Sequence, residues 1–357
     1  MATSAASAAT ALPTRNLDIL RAVAVSAVLV AHTLKAQGIE LPWYLGEKLG
    51  GLGVLFFFVH TSLVLLSSLE RQGTEVPHWI RAFYVRRAFR IYPLAIATVI
   101  AAVFFRMPEH VGIPSVASTV SSARTVLANV SLSQNLTGDP NTLGVLWSLP
   151  VEVQMYLFLP ACFLVARRRF RDVAMLWIAF VAAGIFVVFA DVRGAGRLSM
   201  FGYGPCFMGG VVAFSLLRRR ARATLPAWLW PVIIAAGGAL VFTLDPTSAH
   251  PEPSWIPCLL LGAAIPFVRD AAPSLASRCA HHLCEVSYGI YLLHEPVLWF
   301  AFVVLHSVSG AAQWTVFATL MLTLPFITYR IVERPGIRFG QRMAARVATQ
   351  RQVARVS

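Results

Sequence analysis

Long apolar runs, interrupted at intervals by arginine-rich or polar stretches, dominate the chain. A helix needs about 20 mainly apolar residues to cross the hydrocarbon core of a bilayer. About ten stretches are candidates: 17–34, 52–69, 88–105, 143–165, 173–190, 198–217, 227–244, 255–268, 286–306 and 312–332. The eighth is short and bounded by prolines. Backbone polar groups find no water in lipid, so each stretch must satisfy its own hydrogen bonds and is read as a helix. The pattern predicts an all-α fold, a polytopic transmembrane helix bundle of about ten spans. Residues 15–335 form the transmembrane domain in this reading. A disordered, Ala/Ser/Thr-rich arm is expected over 1–14 and a basic cytoplasmic tail over 336–357.

Composition sharpens the picture. Of 357 residues, 57% are hydrophobic and 13% charged, whereas an ordinary soluble domain is about a quarter charged. A soluble enzyme is excluded. The net charge of +14 would point to nucleic acid on a soluble protein. Here the arginines cluster in alternate loops, so no nucleic-acid partner is expected. Arg81, Arg86, Arg87 and Arg90 form one cluster, Arg167, Arg168, Arg169 and Arg171 the next, then Arg218, Arg219, Arg220 and Arg222, then Arg269 and Arg278. The loops between are nearly balanced, with Lys35, Glu40, Glu47 and Lys48 in the first and Asp245 and Glu252 in the fourth. Basic loops stay in the cytoplasm, so ten spans put both termini there. Arg330, Arg334, Arg338, Arg342 and Arg346 recur every fourth residue, a helical stripe suited to anionic lipid headgroups. The five cysteines (Cys162, Cys206, Cys258, Cys279 and Cys284) have neither disulfide-framework nor zinc spacing, and no metal is expected. No internal repeat and no appended soluble domain is read from the chain.

Ionisable groups inside a span are costly and mark candidate function. Arg21 and His32 lie in the first span. At 100° per residue their spacing closes three turns within about 20°, which puts both on one face about 16 Å apart. A neutral imidazole there can serve as a base; a buried histidine bonded to a neighbouring span is the alternative. In the fourth span Ser148, Glu152 and Tyr156 share a face, and the carboxylate is expected to be neutralised by a proton or by Arg or His. A structural ion pair between spans remains open. Arg86, Arg87 and Arg90 precede Ile91-Tyr92-Pro93, and guanidinium groups there can grip phosphates bidentately or simply anchor topology. In the ninth span Ser287, Tyr291 and His294 share a face, beside Glu295 and Pro296. Adjacent His294 and Glu295 point in different directions and are not a natural pair. Pro296 invites a kink, and packing alone would also explain this face. Gly202, Gly204, Pro205, Gly209 and Gly210 crowd the sixth span, permitting close helix approach. Asn129 and Asn135 begin glycosylation-type triplets, a signal common by chance.

These motifs, in this order, resemble the membrane acyltransferase-3 family, integral proteins that acylate cell-surface and secreted glycans. Arg21 and His32 match its Arg, ten residues, His element. Gly53-Val54-Leu55-Phe56-Phe57-Phe58-Val59 is similar to its second-span signature, and Arg86-Arg87-Ala88-Phe89-Arg90-Ile91-Tyr92-Pro93 to its third-span element. Trp147-Ser148-Leu149-Pro150-Val151-Glu152, Ser287-Tyr288 through His294, and Glu333-Arg334-Pro335 complete the series. The resemblance runs from about Arg15 to Pro335. One departure stands out: the second span continues His60-Thr61-Ser62-Leu63 where the family has a Ser-Gly-Phe stretch, which adds an imidazole near the expected cavity.

The resemblance implies an acyl-CoA-dependent O-acyltransferase of the bacterial inner (plasma) membrane. It would use acyl-CoA, acetyl-CoA first, as co-substrate with no bound cofactor, and a carbohydrate or lipid-linked glycan as acceptor. His32 would be the general base or a transient acyl carrier, with Glu152 orienting the imidazole. Arg21, Arg86, Arg87 and Arg90 would bind the anionic donor, and Ser148, Tyr291, His294 and His60 stand second in line, the first three as donors to the tetrahedral oxyanion. A transporter or flippase, which also uses intramembrane His, Glu and Arg, is the alternative from another class; it predicts related halves.

Overall fold

The computed structural model describes residues 12–39, 45–74, 78–111, 122–189, 197, 199–219, 221, 223–244 and 251–353. Most of the expected N-terminal arm, together with Glu40, Arg220, Arg222, Asp245 and the last residues of the tail, lies outside them. In chain order the helices are α1 (Thr14–Ala36), α2 (Leu45–Gln72), α3 (Trp79–Phe104), α4 (Ala123–Val130), α5 (Gln134–Thr137), α6 (Ser148–Ala166), α7 (Phe170–Phe189), α8 (Ser199–Arg218), α9 (Leu229–Leu244), α10 (Trp255–Ala264), α11 (Leu275–Leu298), α12 (Gly310–Thr328) and α13 (Arg334–Val353). Among the described residues the sole strand-like feature is an isolated bridge between Leu225 and Val268. The chain is an all-α, multi-pass membrane protein.

Among the described residues, eight helices are long and apolar enough to cross a membrane. The seventh and eighth expected spans are shorter: α9 has 16 residues, and α10 has 10 before a 3-10 turn over Ile265–Phe267. α3 begins at Trp79, ahead of its apolar run, because arginine is a good helix former and the helix continues through Arg81, Arg86 and Arg87. Pro296 does not break α11; the helix widens just after it into a π-helical turn over Trp299–Val304, one known way to absorb a disturbed backbone ladder. A second π-helical turn, Tyr329–Glu333, joins α12 to α13 downstream of Pro325.

The chain divides into two compact units. The first comprises Met1–Val28, Leu41–Ser68 and Leu157–Glu285. Its α8 packs against α7 and α10 through the glycine-rich stretch seen in the sequence. A methyl group at Gly209 would collide with the Cys258 carbonyl, and one at Gly210 with Val59 and Ser62 of α2. Small residues let backbones meet where lipid offers no hydrophobic drive. The Ser62 hydroxyl uses that proximity, donating to the Phe207 carbonyl at 2.7 Å. The start of α1 is held by Asp270, which accepts the Asn16 backbone N–H at 3.0 Å and so satisfies one first-turn donor.

The second unit comprises Leu29–Glu40, Leu69–Tyr156 and Val286–Ser357. Here α13 lies along α3. Gly336 and Gly340 face Phe89: a Cβ at Gly336 would come within 2.8 Å of the Phe89 carbonyl oxygen and one at Gly340 within 2.7 Å of the Phe89 Cβ. Ala344 continues that face and is buried. The arginine stripe is offset by two residues, about 200° around the helix, and Arg334, Arg338 and Arg342 are exposed.

Candidate active site

The second unit gathers three imidazoles around one carboxylate. Residues 286–295 of α11 are buried without interruption, so the helix meets neighbours on all sides and two adjacent side chains can both be used. Glu295, 2% exposed, places Oε1 3.9 Å from His32 Nε2 and 3.9 Å from His110 Nδ1. These distances are within ion-pair range and outside hydrogen-bond range. Its Oε2 accepts the Val145 backbone N–H at 3.4 Å. The His32 and His294 rings stand with centroids 4.8 Å apart. His294 is fully buried, and its Nδ1 lies 3.2 Å from the Ile290 carbonyl. A carbonyl can only accept, so the neutral ring carries its proton on Nδ1 and its lone pair on Nε2. That Nε2 has no hydrogen-bond partner among the described residues.

A 3-10 turn, Gly144–Trp147, leads into α6 and knits the cluster together. The Val145 carbonyl accepts the Tyr291 hydroxyl at 2.7 Å, and Ser148 Oγ lies 2.7 Å from the same phenol oxygen. Tyr291 has one proton and gives it to Val145, so Ser148 donates to Tyr291. Both hydroxyls, candidates for the oxyanion from the sequence, are bonded in this arrangement. The Gly144 N–H donates to the Glu109 carbonyl at 2.7 Å. That bond holds segment 107–111 beside the turn.

Of the other expected residues, Glu152 and Arg87 both act electrostatically on Tyr156. Glu152 accepts the Tyr156 hydroxyl one turn along α6; the carboxylate facing His32 is Glu295. The arginines of α3 lie toward its other end. Arg90 pairs with Glu333, whose carboxylate is buried, and its guanidinium stands 5.4 Å from the Tyr288 ring centroid. Tyr288 in turn donates to the Ile91 carbonyl at 2.7 Å. Arg86 donates to the Gln72 side-chain oxygen, and Arg87 is half-buried beside it on the helix. Arg21 and His60 belong to the first unit. Arg21 sits over the Phe57 ring at 5.7 Å, a cation–π contact, and His60 is buried with Nδ1 unpartnered among the described residues. Asn129 is a structural residue, buried and bonded to the Thr125 and Pro140 carbonyls, and Asn135 and Gln154 exchange two amide hydrogen bonds.

The sequence reading missed Glu295 as a partner and His110 altogether. The signal for Glu295 was present in its burial cost. His110, in an irregular segment, had none.

Comparison with known proteins gives the family. Residues 14–330 match the acyltransferase domain of the acyltransferase-3 family. Nodulation protein 10 of Rhizobium leguminosarum bv. viciae is 23% identical, over 93% of this chain and 95% of that protein. The peptidoglycan O-acetyltransferase OatA of Listeria monocytogenes is 25% identical, over 90% of this chain and 55% of its own length. The chain thus spans about half of that second relative. No solved structure matches. The transporter alternative is set aside, because the chain belongs to the acyltransferase-3 family and is an acyltransferase.

Proposed function

We propose that the protein transfers a short acyl group, acetyl first, from cytosolic acyl-CoA to a hydroxyl of a cell-surface or exported carbohydrate. OatA is a peptidoglycan O-acetyltransferase, which supports both the group and the kind of acceptor. The observation that carries the reading is the buried Glu295 carboxylate beside His32 in a family of acyltransferases. An acceptor hydroxyl is a poor nucleophile until a base takes its proton. In this reading His32 takes it, the acceptor oxygen bonds to the thioester carbonyl carbon, the C–S bond breaks, and the proton passes to the departing thiolate. If His32 carries the acyl group, its nitrogen bonds to the carbonyl carbon as the C–S bond breaks, and the thiolate leaves with the ring's proton. The acceptor oxygen then displaces the nitrogen, and the hydroxyl proton returns to the imidazole. Glu295 stabilises the imidazolium, as the third group of a triad does. The lone pair on His294 Nε2 suits proton acceptance better than donation to an oxyanion.

The donor is polyanionic and cannot cross lipid, so it meets the protein from the cytoplasm. Arg86, Arg87 and Arg90 on α3 would receive its phosphates. Acyl-CoA is a co-substrate in this scheme, and no bound cofactor is required. The same scheme puts about ten spans in a bacterial inner membrane with both termini in the cytoplasm.

The test is full-length protein in lipid nanodiscs with radiolabelled acetyl-CoA. Thiol release and label transfer to a carbohydrate hydroxyl are expected, both lost in His32→Ala with the melting temperature retained. A folded wild type that cleaves no acetyl-CoA would overturn the reading.

A further inference from the structure

We propose that His110, with Glu109 beside it, forms the acceptor-binding lip of the site, and that the acceptor is a neutral hydroxyl-bearing carbohydrate rather than an acidic one. This rests on the acyl-transfer reading above.

His110 is built into place. The Gly144 N–H holds the Glu109 carbonyl, and the imidazole packs against the bare face of Gly144, where a Cβ would overlap the His110 ring and lie 3.1 Å from Glu295 Oε1. The ring stands between two carboxylates, Nδ1 3.9 Å from Glu295 and Nε2 3.9 Å from Glu109. His110 keeps 34% of its side chain exposed while Glu295 is 2% exposed. The imidazole is therefore a group that a molecule approaching this carboxylate from outside can touch.

Position along α3 adds the second argument. Arg90 and the C-terminal end of α3 at Phe104 are about 20 Å apart at 1.5 Å per residue, and His110 lies beyond that end. The polyanionic donor belongs with the arginines, so the end marked by His110 is left for the acceptor. Its chemistry fits. A sugar hydroxyl can donate to a carboxylate while accepting from an imidazole N–H, and alternating groups of this kind suit neighbouring hydroxyls on a ring. A uronic acid or phosphorylated sugar would bring its negative charge against Glu109 and Glu295, and like charges at this range repel. The two ends thus sort the two substrates by charge.

The test uses the full chain in nanodiscs with radiolabelled acetyl-CoA. Water, methyl glucoside and methyl glucuronide are the acceptors. His110→Ala should raise the KM for methyl glucoside about tenfold, the size of one lost hydrogen bond, with His110→Gln recovering part of it. Gly144→Ala, which displaces the ring without removing it, should shift KM in the same direction. The KM for acetyl-CoA should stay within about twofold of wild type. Methyl glucoside should be acylated faster than methyl glucuronide, and Glu109→Gln should narrow that gap. An unchanged glucoside KM in His110→Ala, an equal rise in the acetyl-CoA KM, or faster acylation of the glucuronide would overturn the proposal. If the wild type cleaves no acetyl-CoA, the acyl-transfer reading fails and this one with it. If it does and the glucoside KM is unmoved, this proposal alone fails.

Discussion

Arg90 on α3 and Glu333 at the end of a π-helical turn form an ion pair between residues far apart in the chain. The carboxylate is 1% exposed. The Arg90 guanidinium thus uses part of its donor set on a protein anion. Breaking a buried pair by removing one partner typically costs about 3–5 kcal/mol, because the other charge stays buried. Arg90→Gln and Glu333→Gln should each lower the melting temperature in detergent strongly. The double variant should lose less than the two losses added. Strict additivity in that cycle would show that the pair is not coupled.

Glu295 makes a graded prediction for the chemistry. His32→Ala should reduce kcat by about 10²–10⁴, the range for loss of a general base. Glu295→Gln keeps an acceptor for the Val145 N–H but removes the charge facing His32, so kcat should fall with little change in the acetyl-CoA KM. Thiol release measured by a chromogenic disulfide reports both. Glu152→Gln removes the charge beside the Tyr156 hydroxyl, not the one facing His32, and should lower kcat less than Glu295→Gln.

The contact of α13 with Phe89 can be tested apart from any catalysis. A Cβ at Gly340 would lie 2.7 Å from the Phe89 Cβ, closer than packed carbons tolerate, so Gly340→Val forces the helices apart. Overpacking of this kind costs about 1–3 kcal/mol. A lowered melting temperature is expected, together with faster proteolysis of the tail. Arg338→Gln, on the exposed side, should leave both unchanged.

Acid should loosen the turn after α5. The Asp139 carboxyl is held below the usual carboxylate range, first by the Thr137 side chain and further by Arg124 and Thr125. A lowered folded value means that the contribution is complete above the unfolded value of about 3.9. It fades as pH falls through the folded value. Amide exchange over residues 134–142 should rise below about pH 4, and Asp139→Asn should abolish that dependence.

Apolar run length announced the membrane helices, and the expense of charge in lipid singled out His32, Glu152 and His294. Hydropathy was less able to place helix ends: α3 and α11 both start well before their apolar cores, and α9 and α10 are shorter than a span. Partnerships were harder still. Arg90 and Glu333 obey no helical spacing rule, being on different helices. Glu295 was set aside because it follows His294 directly, a sound inference for a helix with one buried face. α11 is buried all round over 286–295, so both residues find neighbours. His110 lies where no periodicity exists to read.

Val145 deals with α11 twice, giving its N–H to Glu295 and taking the Tyr291 proton on its carbonyl. Those two partners are one helical turn apart. Sliding α11 past this peptide would snap both bonds together, so the start of α6 and this stretch of α11 are latched in register. Any opening that admits a substrate has to carry the latched pair as one block and flex somewhere else.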